Sequence, residues 1–174
     1  VPFVVDGEQV GAVPPPVVEA LRSWPAVFDC TDPSRVVLSP ELAEATLEQR
    51  SAAVHEVALA LRESGLITKW RDEPLALVTA FDAPPALFVE RRLVPLLGGK
   101  GYGVAINGYS RDERGELFLW VATRAADKAT WPAMLDTLAA GAMSAGASVV
   151  AAARSEAAEE AGVPDELLAA GLKP

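Results

Sequence analysis

The stretch from Gly141 to Val163, GAMSAGASVVAAARSEAAEEAGV, constrains this chain more than any other. Glu156, Glu159 and Glu160 stand at positions i, i+3 and i+4, so a helix brings all three carboxylates onto one face. Like charges at that spacing destabilise a solvated helix unless a cation lies between them. One reading is therefore a metal-binding face, and the other is an Ala-Glu surface helix with solvated carboxylates. The helix itself is well specified: Ser148 is a good N-cap, the interior is Ala-rich, and Gly162 falls at the C′ position.

Composition narrows the function classes. The chain is 51% apolar and 22% charged, a globular balance rather than a disordered one. A formal charge of −9 argues against a nucleic-acid polymer as partner, because phosphate contacts need clustered Lys and Arg. It leaves room for a small phosphorylated ligand, since a bound divalent cation reverses the local sign. Cys30 is the single cysteine and His55 the single histidine, which excludes a disulfide framework and a thiolate or imidazole metal cage. These features favour a cytoplasmic protein. No run is long and apolar enough to read as a membrane span.

Along the chain, Asp6-Gly7 marks a hairpin turn between residues 3–5 and 9–13. Pro14 to Pro16 open a short helix. Val36 to Leu38 reads as a strand, and residues 43–64 as a helix stopped by Gly65. His55 on that helix reads as a surface histidine rather than a base or ligand. Residues 75–81 read as a strand and residues 86–97 as a helix. The run from Gly98 to Gly103 lacks both common phosphate-loop spacings and is read as a turn. Residues 104–109 and 117–123 form a hairpin, residues 135–140 a further strand, and Asp165 to Ala170 a final short helix. The expected fold class is α/β (α+β), with a small α/β module over residues 1–97 and a second domain over 98–174.

The box from Gly141 resembles the signature of the Nudix hydrolases, G-x5-E-x7-R-E-U-x-E-E-x-G-U, where U is aliphatic. The frame matches without a gap: Gly141, then Glu156, Glu159, Glu160, Gly162 and Val163 fall in register, while Ala147 replaces the first Glu and Ser155 the Arg. Arg154 stands one residue early, and a one-residue step turns a helix by about 100°, so it is no simple replacement. The preceding segment is similar to the Nudix branch associated with thiamin pyrophosphokinases. Tyr102-Gly103, Asn107-Gly108-Tyr109, Leu119-Trp120-Val121, Lys128, Pro132 and Leu135-Asp136 carry that likeness, as do Lys69-Trp70-Arg71-Asp72-Glu73 and Glu90-Arg91-Arg92 in the first module. Ala105, Thr123, Ala133 and Ala142 depart from it.

The resemblance implies a Nudix-like mixed sheet with a catalytic loop–helix–loop, and a pyrophosphohydrolase using Mg²⁺ or Mn²⁺. It implies metal ligands among Glu156, Glu159, Glu160 and the carbonyl of Gly141 or its neighbour, with Glu156 and Glu160 as the catalytic pair. Asn107, Tyr109, Lys128 and Asp136 are the implied substrate contacts. The substrate class is a small diphosphate-containing metabolite, nucleotide-like or thiamin-diphosphate-like. Such a domain carries further strands and a helix after the box, so a longer protein is expected beyond Pro174. The alternatives are a catalytically weak binding or regulatory protein, and an interaction module that forms a homodimer through its apolar N-terminal face.

Overall fold

In the computed structural model, which describes residues 1–128 and 130–173, the N-terminal hairpin forms where the sequence places it. Asp6 and Gly7 both take positive φ (53° and 81°), the geometry of the tight turn that lets two right-twisted strands pair. The flanking strands are β1 (Pro2–Val5) and β2 (Glu8–Ala12), antiparallel. Helix α1 (Pro15–Leu21) starts on its proline and buries Val17, Val18 and Leu21. Strands β3 (Phe28–Asp29) and β4 (Val36–Leu38) complete a sheet of order β2-β1-β4-β3, in which β4 runs parallel to β1.

The helix expected over 43–64 is present but starts later, at Leu47, and a separate short helix precedes it. Helix α2 (Pro40–Ala43) is separated from α3 (Leu47–Glu63), because Thr46 and Gln49 build a reciprocal capping box that starts a new helix. Strand β5 (Pro74–Leu77) then pairs antiparallel with β6 (Leu87–Glu90). The expected helix over 86–97 is therefore overturned. Leu87 and Val89 bury alternate side chains as a strand does, and Glu90 ends the strand by accepting main-chain N–H groups from Arg71, Glu73 and Arg92. Residues 91–98 follow as turns. Gly98, at φ 63°, approaches β2 so closely that a Cβ would lie 1.9 Å from the Ala12 carbonyl oxygen. Packing against β2 accounts for this glycine.

The second part begins with β7 (Gly103–Ile106) and β8 (Gly108–Arg111), followed by β9 (Leu117–Trp120) and β10 (Ala122–Thr123). The strand expected over 135–140 is split into β11 (Leu135–Asp136) and β12 (Ala139–Ala142). Helices α4 (Val149–Ala161) and α5 (Asp165–Gly171) close the described chain. The pairs are β7 with β12, β8 with β9 and β10 with β11, all antiparallel.

Two compact units result: Val1–Gly101 with Ser144–Gly146, and Tyr102–Met143 with Ala147–Pro174. The first holds a large core around Phe3, Leu21, Phe28, Val36, Val54, Leu77, Leu87 and Leu93. Its N-terminal strands contribute Phe3, Val5 and Val10 to that core. The second unit has a small core of Val104, Ile106, Ala139, Ala152 and Ala153. Its exposed apolar residues include all of Leu117, Phe118, Leu119 and Trp120 on β9. Among the described residues, no helix is long and apolar enough to cross a membrane.

Candidate functional site

Three glycines and a helix cap set the geometry around the glutamates. Helix α4 starts where the Ser148 hydroxyl accepts the Ala151 N–H at 3.1 Å, and it stops at Gly162, whose φ of 62° suits the left-handed cap. Its apolar face is alanine: Ala152, Ala153 and Ala157 are buried. Side chains this small let α4 lie close to the β7–β12 pair. Strand β12 also approaches β7 closely at Gly103, where a Cβ would stand 2.6 Å from the Gly141 carbonyl oxygen.

Strand parity decides which main-chain groups of β12 are open. The N–H of Met143 donates to the Tyr102 carbonyl at 2.9 Å, so residues 141 and 143 turn their polar groups toward β7. Residues 140 and 142 then turn theirs outward. The Ala140 N–H accordingly donates to Glu160 Oε2 at 3.1 Å. A main-chain ligand on the open edge thus falls to Ala140 or Ala142, the neighbours of Gly141, while the Gly141 carbonyl lies over Gly103.

Glu156 reaches the same strand. The space that a Cβ on Gly141 would fill holds its carboxylate, with Oε1, Cδ and Oε2 at 1.8, 1.9 and 2.3 Å from the ideal Cβ position. Gly141 is therefore the residue that makes room for Glu156, a role that spacing alone does not reveal. Glu159 is drawn aside: its Oε1 accepts the Ser155 hydroxyl at 2.8 Å. Arg154 is engaged by Asp165 and ties α4 to α5, so it leaves the arginine position of the box unfilled.

Glu156 and Glu160 thus meet at β12, whereas Glu159 faces Ser155. Among the described residues, no group of three or more His, Cys, Asp or Glu side chains is gathered as a metal cage. What β12 and α4 offer is two carboxylates beside outward main-chain carbonyls. That all-oxygen set suits Mg²⁺ or Mn²⁺, which bind few carboxylates and keep several waters.

The four implied substrate contacts are spread over the second unit. Asn107 is exposed between β7 and β8, and Tyr109 on β8 is exposed beside its cross-strand partner Leu119. Lys128 sits in an exposed turn, its N–H donating to the Ala125 carbonyl. Asp136 is occupied: it pairs with Arg124, whose guanidinium also donates to the Thr130 and Trp131 carbonyls. The Arg124 hydrogen bond, seconded by the Thr137 N–H, holds the Asp136 carboxyl below its usual pKa. Arg124 therefore braces a loop in which Trp131 and Ala133 both take positive φ, a brace that sequence reading missed because its anchors are main-chain carbonyls.

A glycine-bearing strand, a capped helix and two glutamates turned onto that strand are what β12 and α4 bring together. Residues 1–101 match the family model described as a domain of unknown function (DUF4743). The chain is 34% identical over 169 residues to Nudix hydrolase 20, chloroplastic, of Arabidopsis thaliana, covering 94% of this chain and 45% of that protein. It is 33% identical over 177 residues to Nudix hydrolase 24, chloroplastic, of the same plant, covering 99% and 48%. A Saccharomyces cerevisiae protein called uncharacterized is 32% identical over 105 residues, 60% of this chain and 30% of that one. The chain spans about half the length of the Arabidopsis relatives. It belongs to the DUF4743 family and to the Nudix hydrolase superfamily.

Proposed function

We propose that this protein is a hydrolase of the Nudix type that cleaves a diphosphate linkage in a small nucleotide-like or thiamin-diphosphate-like metabolite, with Mg²⁺ or Mn²⁺ as cofactor. The observation that carries the reading is the meeting of Glu156 and Glu160 at β12, made possible by the missing Cβ of Gly141. Bound there, the cation supplies charge neutralisation for the diphosphate oxygens and polarises water. Glu160, oriented by the Ala140 N–H, is the residue best placed to hold it. Glu156, fixed against Gly141, is the residue assigned to orient water and take its proton. Ser155 and Glu159 bind one another and so steady the exposed face of the helix.

The experiment is phosphate release from a panel of diphosphate compounds, with and without Mg²⁺. Metal-dependent release that disappears in Glu156→Gln supports the reading. A second reading, a weak binding or regulatory protein, is favoured by Ala147 and Ser155 at the box's first Glu and Arg. It predicts that a diphosphate binds with metal and is not turned over. Release that is indifferent to both metal and Glu156 sinks both readings. We further propose a cytoplasmic location from the cysteine usage; organelle fractionation that finds the protein in a plastid or another organelle contradicts it.

A further inference from the structure

A group of cations in the first unit uses none of the residues of α4. The segment Lys69–Glu73 leads into β5 with Lys69 and Asp72 both in the left-handed region, at φ 57° and 56°. Residues with side chains rarely adopt this conformation, and it persists only where surrounding contacts over-determine it. Those contacts are visible. Glu90, 4% exposed, accepts the Arg71 and Arg92 N–H groups on Oε1 at 3.1 and 3.2 Å, and the Glu73 N–H on Oε2 at 3.3 Å. The Arg92 Nε donates to the Lys69 carbonyl at 3.3 Å. A buried carboxylate filled by main-chain donors therefore braces the loop.

The bracing spends only the Nε of Arg92 and leaves these cations without a carboxylate partner. Glu73 is occupied by Arg91 at 2.8 Å and by the Ser144 hydroxyl at 2.9 Å. Among the described residues, Lys69, Arg71 and Arg92 make no ion pair, nor does Arg62, whose guanidinium lies 5.2 Å over the Trp70 ring. The four residues are brought to one region of the unit: the main-chain N–H groups of Arg71 and Arg92 share one oxygen of Glu90, the Arg92 Nε reaches the Lys69 carbonyl, and Arg62 stacks on the neighbouring Trp70. Guanidinium groups without a carboxylate partner match the oxygens of a phosphate group. A chain of net charge −9 does not suit a long polyanion, so one phosphate or diphosphate group is the occupant that fits.

We propose that Lys69, Arg71 and Arg92, with Arg62 beside them, form a metal-independent anion site for the phosphate or diphosphate end of a small metabolite. It goes beyond the hydrolase reading and does not depend on it.

The test is calorimetric titration of the full chain with inorganic pyrophosphate in the presence of a chelator. Saturable binding is expected, weakened at least tenfold in the Arg71→Gln/Arg92→Gln double variant and unchanged in Glu160→Gln. Lys69→Gly is the second variant: it removes a charge while relieving the left-handed backbone, so it tests the site if the double variant fails to fold. It too should weaken binding. Absence of saturable binding without metal overturns the proposal. So does wild-type affinity in Lys69→Gly, or a loss in Glu160→Gln equal to that in the arginine variants.

Discussion

Replacing Gly141 by alanine separates the fold of β12 from the placement of Glu156. Gly141 is not in the positive-φ region, so alanine can adopt its backbone, and removing a strand glycine contributes about 0.5–1 kcal/mol of stability. The new Cβ would lie 1.8 Å from Glu156 Oε1, where ordinary contact begins at 3.4 Å, so the carboxylate must withdraw by roughly 1.6 Å. It is the far end of a flexible side chain, and the shift costs little in folding. The net change in stability should stay within about 1 kcal/mol, a melting-temperature change of roughly 2–4 °C for a chain of this size. The functional cost should be much larger, because a misplacement of about 1 Å in a site costs on the order of 10²-fold in rate. Thermal unfolding measures the first quantity, and metal-dependent diphosphate hydrolysis the second. Gly103→Ala is the control: its Cβ would meet the Gly141 carbonyl oxygen at 2.6 Å, a backbone atom that cannot swing away. That variant should lose about 1–3 kcal/mol of stability. A Gly141→Ala protein with normal melting and normal hydrolysis refutes the placement of Glu156. One that melts as low as Gly103→Ala shows that Gly141 serves the sheet instead.

Two further predictions concern carboxylates outside that helix. Glu90→Gln replaces one acceptor oxygen by a donor against main-chain N–H groups, so stability should fall by about 1–3 kcal/mol in urea denaturation; an unchanged midpoint would contradict the bracing role. Asp136 has a lowered folded pKa, chiefly through the Arg124 hydrogen bond, so its contribution is present above the unfolded value of about 3.9 and is lost as pH falls through the folded value. Amide hydrogen exchange in residues 124–136 should therefore speed up in that acid window, and Arg124→Gln should abolish the pH dependence. An acid response that is the same in the variant excludes the pair as its cause.

The elements legible in the sequence are those specified by local chemistry. Ser148 and Gly162 bound α4 as their capping chemistry requires, and Asp6-Gly7 turns the first hairpin. Residues 86–97 misled because Ala, Leu and paired Arg satisfy helical preference while the deciding contacts, the pairing with β5 and the Arg71 and Glu73 amides on Glu90, come from distant backbone. The break between α2 and α3 was written in Thr46 and Gln49, whose capping box sits inside an otherwise helical pattern. At the site, the spacing of Glu156, Glu159 and Glu160 is visible, but their division of labour is not. It depends on the parity of β12, which frees the Ala140 N–H for Glu160, and on the serine that holds Glu159. The exposure of β9 could not be read either, since an apolar strand looks the same in sequence whether or not a neighbouring layer covers it.

The central claim is that α4 and β12 form a divalent-metal site, and it is tested most directly by calorimetric titration of Mn²⁺ into the wild type and Glu160→Gln. The account predicts saturable binding by the wild type, weakened at least tenfold in the variant while its melting stays close to normal. No binding by the wild type, or equal binding by both proteins, would contradict it.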